Sequence, residues 1–323
     1  MHVLIDEYVP FLNGVLDSYA TVEFIAPEAF TPARVQDADA LIVRTRTRIN
    51  KDLLEHSRVR LIATATIGYD HIDTSYCQPL THSSIHPLPH SSIHPYWTAC
   101  PGCNAQAVCD YIREALLTVP LPRSKGDMRI GIVGYGHVGS RVAAMAEQLG
   151  FNVLVNDPPK GIGVSLDEIA SKCDIITFHT PLDETTYHLC DASFLSKCRP
   201  DALIINAARG GIVDEQALFE SRHPCIIDCW ENEPAIHRTL CQSPQTLLAS
   251  YHIAGYSIEG KRNASQMCLD ALCRFFSLPA LSVNTDQMPP LGDSQPGWLM
   301  RVSDQLKVHP ENFETLRKQY PLR

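Results

Sequence analysis

The chain has 323 residues, 45% of them apolar and 20% charged, enough to bury a core in about two domains and too apolar for a disordered protein. Acidic residues outnumber Lys plus Arg by 36 to 27, a net charge of -9, which argues against a general binder of nucleic acid or anionic membrane. No apolar run reaches the ~18 residues of a membrane span and no basic segment precedes an apolar stretch at the N-terminus, so a cytoplasmic protein without membrane contact is expected.

Along the first third, short apolar runs alternate with more polar stretches. Val3-Leu4-Ile5, 22–25, Ala40–Val43 and Leu61–Thr64 read as buried strands and 51–56 as a helix, which implies a mostly parallel sheet. Arg44-Thr45-Arg46-Thr47-Arg48 and Thr64-Ala65-Thr66-Ile67-Gly68 each follow one of these strands, where open α/β sheets bind ligands. Arg44 or Arg46 there suits an anion, although alternating Arg on an exposed strand is as readily explained by solvation. Next comes a duplication: His82-Ser83-Ser84-Ile85-His86-Pro87 is repeated as His90-Ser91-Ser92-Ile93-His94-Pro95. Histidines spaced by four suit a helical metal face, but Pro87, Pro89 and Pro95 break such a helix, so an exposed loop is the plainer reading. Cys100-Pro101-Gly102-Cys103 has C-x-x-C spacing without a second pair, and reads as a tight turn. The twelve cysteines are irregularly spaced and read as reduced thiols, and no metal site is expected.

A second α/β unit begins after the loop Leu121-Pro122-Arg123-Ser124-Lys125-Gly126. Its expected strands are Arg129–Val133, 152–155, Ile175–Phe178, 203–205 and 225–228, with helices at 138–149, Leu166–Lys172, Ala192–Lys197 and 215–220. Gly134-Tyr135-Gly136-His137-Val138-Gly139 fits G-x-G-x-x-G between a strand and a helix, and Asp157 ends the next strand about 20 residues on. Gly134 permits the tight turn, Gly136 lets backbone approach a pyrophosphate, and Gly139 lets helix and strand pack closely. The backbone N–H groups of His137 and Val138 can face phosphates, while the His137 side chain reads as solvent-facing. Asp157 can accept from ribose hydroxyls, and its charge repels a 2′-phosphate, so NAD is expected over NADP.

Three further segments carry chemistry. In Asn206-Ala207-Ala208-Arg209-Gly210-Gly211 a strand delivers an Arg able to clamp a carboxylate. Asp228-Cys229-Trp230-Glu231-Asn232-Glu233-Pro234 follows another strand, and Ser250-Tyr251-His252-Ile253-Ala254-Gly255-Tyr256 holds a histidine suited to acid–base work.

With these motifs in order, the chain resembles the D-isomer-specific 2-hydroxyacid dehydrogenases over nearly its whole length. The resemblance implies Arg209, Glu233 and His252 as the catalytic set. His252 would exchange the substrate hydroxyl proton, Glu233 would orient the imidazole, and Arg209 would hold the substrate carboxylate. It also implies Thr180, Ala207, Ala208, Asp228 and Gly255 beside NAD, and Thr45, Thr66 and Tyr256 on the substrate. The implied fold class is α/β. A flavodoxin-like substrate domain occupies 1–103, with 258–280 returning to it, and a Rossmann-like doubly wound NAD domain occupies 104–257. A short C-terminal extension, 281–323, would be a shortened dimerisation segment of a homodimer, and the two domains would close over their ligands. The segments at 101–105, 178–182, 230–234, 252–261 and 309–317 resemble one branch of the family. That branch implies NAD-dependent oxidation of a phosphorylated hydroxy acid, 4-phospho-D-erythronate, to 2-oxo-3-hydroxy-4-phosphobutanoate in vitamin B6 (pyridoxal 5′-phosphate) biosynthesis. Another 2-hydroxyacid dehydrogenase, such as one using 3-phosphoglycerate, and a non-catalytic NAD(H)-sensing interaction protein are the alternatives.

Overall fold

The computed structural model describes residues 1–81, 94–122, 124–286 and 297–322. The histidine-rich duplication lies outside them except for 94–97, as do Arg123 of the expected entry loop and part of the Pro-rich stretch after 282. Among the described residues the chain forms two compact units, one of 1–104 with 257–286 and one of 105–256 with 297–322. Neither contains a helix long and apolar enough to cross a membrane.

The first unit is built on β1 (His2–Asp6), β2 (Thr21–Ile25), β3 (Ala40–Val43), β4 (Leu61–Thr64), β5 (Gln78–Pro79) and β6 (Tyr96–Thr98), all parallel, in the order β2-β1-β3-β4-β6-β5. Short helical turns α1 (Pro32–Val35) and α2 (Lys51–Leu54) lie between strands. Asn50 caps α2, its side chain accepting from the Leu53 N–H at 3.1 Å. The apolar runs of β1, β3 and β4 are buried on both faces, as a covered parallel sheet requires, whereas 22–25, expected to be buried, lies in the edge strand β2 with Phe24 exposed. Val3, Ile5, Ala40, Ile42, Leu61 and Ala63 share one core with Ala264, Cys268, Leu269 and Leu272, on the returning helix of 258–275, while Leu4, Leu41, Val43 and Ile62 share the other with Leu53 and Leu54.

The second unit opens with α3 (Ala105–Thr118). Ala105, Val108, Cys109, Ile112, Ala115 and Leu116 recur on one helical face and are buried. Then follow β7 (Arg129–Val133), α4 (His137–Gln148), β8 (Asn152–Asp157), β9 (Ile162–Gly163), α5 (Leu166–Lys172), β10 (Ile175–Phe178), α6 (Ala192–Lys197), β11 (Leu203–Asn206), α7 (Glu215–Ser221), β12 (Cys225–Ile227), α8 (Arg238–Gln242) and β13 (Thr246–Ala249). The sheet runs β13-β12-β11-β10-β7-β8-β9, parallel except for β9. Strand order reverses between β7 and β10, the position where doubly wound sheets bind ligands beyond the strand C-termini. The α/β reading and the elements near the motifs hold. The sequence reading passed over α3, β9 and β13, and helix 258–275, α9 (Ile258–Phe275), carries the chain back to the first unit.

The C-terminal segment 281–323, too short to form much of a core alone, is expected to pack on the main body or on another subunit; its described end, 297–322, folds into the second unit. There α10 (Trp298–Val308) and α11 (Phe313–Gln319) follow, with Trp298, Leu299, Val302, Leu306 and Phe313 buried in the unit's core. The physical reason is the edge strand: β13 has no strand beyond it, and α10 covers it. Ser303 accepts the Ala249 N–H at 3.0 Å, and the Lys307 ammonium donates to the Thr246 and Leu247 carbonyls. Truncating Phe313→Ala should cost about 3–5 kcal/mol, read as a lower denaturant midpoint. A cost under about 1 kcal/mol would show that α11 is not part of that core.

Candidate active site

The glycine-rich turn leaves β7 with Gly134 at φ 89°, the left-handed region, and a Cβ there would come 2.7 Å from the His179 carbonyl oxygen. A Cβ on Gly139 would sit 1.9 Å from the Gly134 carbonyl oxygen, so only glycine lets α4 start against the strand end. Gly136, by contrast, faces open space, as a backbone that receives a ligand should. Asp157 is buried at the end of β8, and its carboxylate accepts the Tyr135 N–H at 2.8 Å and the Lys160 N–H at 3.3 Å. It therefore fixes the turn, and a carboxylate retains acceptor capacity beyond two bonds. At the end of β10 the Thr180 hydroxyl and His179 Nδ1 are buried with no hydrogen-bond partner, and burial pushes the His179 imidazole down to about 3. Orphaned polar atoms across the strand-order reversal from the glycine turn fit a cofactor held there. His137 is exposed, Val138 packs on the core, Ala207 is buried, and the Ala208 N–H reaches the Asn206 side chain at 3.2 Å.

Two turns beyond β11 and β12 lie against each other. The Asn206 amide donates to the carbonyls of Arg209 (2.8 Å) and Cys229 (3.3 Å), and a Cβ on Gly210 would sit 1.9 Å from the Trp230 carbonyl oxygen. Arg209 donates to the Ala208 carbonyl at 2.7 Å. Glu233 accepts the Trp230 N–H at 2.9 Å, and its other oxygen lies 2.8 Å from His252 Nδ1. His252 has φ 60°, a costly backbone for a non-glycine residue. Asp228, almost fully buried, holds it there. Its carbonyl accepts the His252 N–H at 2.8 Å. Its carboxylate accepts from Ser250 Oγ (2.7 Å), the Ile253 N–H (2.8 Å) and the Ala254 N–H (3.0 Å). The sequence reading set Asp228 beside NAD; in the structure both its carboxylate oxygens bond the turn that carries the histidine.

The sequence reading missed Arg317. It reaches from α11 to donate to the Tyr256 hydroxyl at 3.2 Å, and it lies 3.5 Å from Glu233 Oε2. A signal was present: Phe313, Leu316, Arg317 and Tyr320 form one helical stripe, and a charge in such a stripe needs a buried partner. Burial opposes charge on Glu233, but His252, the Trp230 N–H and Arg317 outweigh it and hold the carboxyl below its ordinary range. Burial pushes the Cys229 thiol well up. Cys229, Glu233 and His252 bring three donor atoms within 4.8 Å of one another, the geometry of a metal cluster. The Glu233–His252 hydrogen bond accounts for that proximity, and Arg317 and Arg209 act on the same group of atoms as positive charges unfavourable to a cation.

In the first unit, Thr45 is exposed in the turn after β3, and Thr66 hydrogen-bonds Thr64 (2.7 Å) and the Gly68 carbonyl (2.8 Å) after β4. The Arg44 guanidinium makes two bonds to the fully buried Asp6, at 3.0 and 3.2 Å, through Nε and one terminal nitrogen. Arg46 is exposed on the same turn. Cys100 and Cys103 are buried in a turn closed by the Cys103 N–H on the Cys100 carbonyl, and burial pushes the Cys103 thiol to about 12. Such thiols are inert.

The family model described as the NAD binding domain of D-isomer specific 2-hydroxyacid dehydrogenases matches residues 118–254, and the one described as their catalytic domain matches residues 5–81. Erythronate-4-phosphate dehydrogenase of Bacteroides thetaiotaomicron is 42% identical, over 100% of this chain and 97% of its own. The protein of the same name from Pseudomonas syringae pv. tomato is 36% identical, over 96% of this chain and 80% of its own. Among solved structures, NAD+-bound 3-phosphoglycerate dehydrogenase of Entamoeba histolytica superposes with a TM-score of 0.70 at 22% identity, over 89% of this chain and 99% of its own. D-lactate dehydrogenase of Aquifex aeolicus, complexed with NAD and lactic acid, gives 0.68 at 22% identity, over 85% and 95%. At such identity these two show the fold.

Beneath the site, Glu215 is buried and accepts the Glu231 N–H at 2.7 Å. Burial, with Glu231, Glu233 and Asp214 adding like charge, raises its carboxyl to about 8. The fold thus keeps a proton that the unfolded chain releases near its ordinary pKa of 4.5. Its stabilisation is complete below that pH and is lost as pH rises through about 8. Glu215→Gln should therefore gain denaturant resistance relative to the parent as pH goes from 5 to 9. Parallel curves for the two proteins would refute a proton held at this position.

Proposed function

We propose, from the premise that this chain belongs to the D-isomer-specific 2-hydroxyacid dehydrogenase family, that it oxidises 4-phospho-D-erythronate to 2-oxo-3-hydroxy-4-phosphobutanoate with NAD+. The reaction belongs to pyridoxal 5′-phosphate biosynthesis, and the setting we propose is the cytoplasm. One observation carries the reading: Glu233 and the Nδ1 of His252 meet at 2.8 Å beyond the strand ends of a sheet that also bears the glycine-rich turn. The names of the relatives supply the substrate.

The residues present fit NAD+. The turn from Gly134 to Gly139, the backbone N–H groups of His137 and Val138, and Asp157, Thr180, Ala207, Ala208, Asp228 and Gly255 would hold it. When bound, it accepts the hydride. The chain's own groups handle the proton and the substrate charge. With a carboxylate on Nδ1, the histidine proton sits on that nitrogen, and Nε2 is the basic atom that takes the substrate hydroxyl proton as the hydride leaves the same carbon. Glu233 stabilises the imidazolium that forms. Arg209 binds the substrate carboxylate and polarises the developing carbonyl. Thr45, Thr66 and Tyr256 are the proposed substrate contacts.

The test is NADH formation by the purified chain with 4-phospho-D-erythronate, ranked by kcat/KM against 3-phospho-D-glycerate and D-lactate. The phosphoerythronate should lead, and His252→Asn should lower kcat about 10²–10⁴-fold with NADH affinity kept. A folded parent that turns over none of the three overturns the reading. A homodimer is part of the same proposal, supported by the exposed Leu117 on α3 and Met300 on α10, two helices that pack together. Sedimentation should give twice the chain mass; a monomer at micromolar concentration would count against it.

A further inference from the structure

We infer that Arg317, delivered by α11, is a positioning residue that couples the Tyr256 hydroxyl to the Glu233–His252 pair. The inference rests on the reading of that pair as the acid–base centre. Its ground is geometric. The guanidinium is largely buried, with 17% of its side chain exposed, and it bridges two functional groups: Nε donates to the Tyr256 hydroxyl oxygen at 3.2 Å, and the terminal nitrogen lies 3.5 Å from Glu233 Oε2. That oxygen is the one 2.8 Å from His252 Nδ1. A rigid fork with both ends engaged fixes two side chains at once, which an ammonium does not do.

Two consequences follow from elementary chemistry. A donor on the phenol oxygen fixes the position of the Tyr256 ring, the proposed substrate contact, and turns its O–H away from Arg317. A fixed positive charge beside the pair also disfavours a further proton on it, and oxidation needs the histidine unprotonated. The charged and titratable groups around the pair are Asp228 and Cys229 beyond β12, Arg209 beyond β11, Glu215 on α7, Tyr256 after the histidine turn, and Arg317 on α11. Arg317 contacts both Glu233 and Tyr256. α11 is held independently of these contacts by the fully buried Phe313 and by Tyr320, which packs 5.8 Å from the Tyr251 ring.

The experiment compares Arg317→Met and Arg317→Lys with the parent. The Met variant removes charge and fork, so the acidic limb of its kcat/KM profile should move up by about one pH unit, and KM for the phosphorylated acid should rise about 10-fold or more. The Lys variant keeps the charge and loses the fork, so its limb should stay while its KM rises. A residue with a merely structural role would lower the melting temperature of both variants and leave both limbs in place, which overturns the proposal. An unchanged KM in both variants overturns the Tyr256 half. A second readout needs no turnover: NMR titration of labelled histidine, with His252 assigned through His252→Asn. The midpoint of the pair should rise in the Met variant and not in the Lys variant. Equal midpoints in all three proteins overturn the coupling even if the parent proves inactive on every substrate, so this failure is distinct from failure of the proposed function. Should the Met variant not fold, the Lys variant and Tyr256→Phe decide: both must raise KM and leave the limb in place, and a limb shift in either is fatal.

Discussion

The buried carboxylate of Asp228 is the constraint on which the site depends. It is an anion removed from water, and such a group survives only if its acceptor positions are filled. They are filled by a segment held in an unfavourable shape: Ser250, Ile253 and Ala254 all donate to it, and the peptide of His252 donates to its carbonyl. The network reaches further, since the Ser250 hydroxyl also meets the Tyr111 hydroxyl at 2.7 Å and the Ser250 carbonyl accepts from the Trp230 indole at 2.8 Å. The turn after β12, helix α3 and the histidine turn are thereby tied to one charge. The imidazole is placed by backbone chemistry before Glu233 touches it.

Much of this was legible in the sequence, and for stated physical reasons. Runs such as Ile175–Phe178 and 203–205 are predominantly apolar and buried on both faces, as a covered parallel strand requires. The glycine turn was readable because its spacing answers to sterics: Gly139 cannot carry a Cβ, and Gly134 needs a positive φ. The Arg and Glu motifs were visible because each follows an apolar strand run, and the His motif because its pattern resembles that of the family. Thr246–Ala249 escaped because four residues after a short helix give too little pattern to separate a strand from the end of a loop. The role of Asp228 escaped because hydrogen bonds to backbone N–H groups leave no trace in side-chain pattern. Arg44 was ambiguous for a similar reason, since its partner Asp6 is 38 residues away and nothing local marks the pair.

The C-terminal residues illustrate how an extension becomes part of a core. β13 is a sheet edge, and a sheet edge left bare invites pairing with another chain. The sequence covers it with α10, whose buried Trp298, Leu299 and Leu306 continue the core, and with Lys307, whose ammonium satisfies strand-end carbonyls. Having crossed that edge, the chain turns through His309 and Pro310 into α11, which brings Arg317 against Tyr256 and Glu233. Protection of an edge and delivery of a charge are thus achieved by one short stretch.

The left-handed backbone at His252 bears on how this histidine can be replaced at all. Asparagine visits that conformation readily, so it removes the imidazole while leaving the chain path intact. Valine or isoleucine would set a branched Cβ against the following carbonyl and unseat the turn, together with the N–H groups that satisfy Asp228. Loss of the ring and loss of the loop would then be confounded in a single measurement.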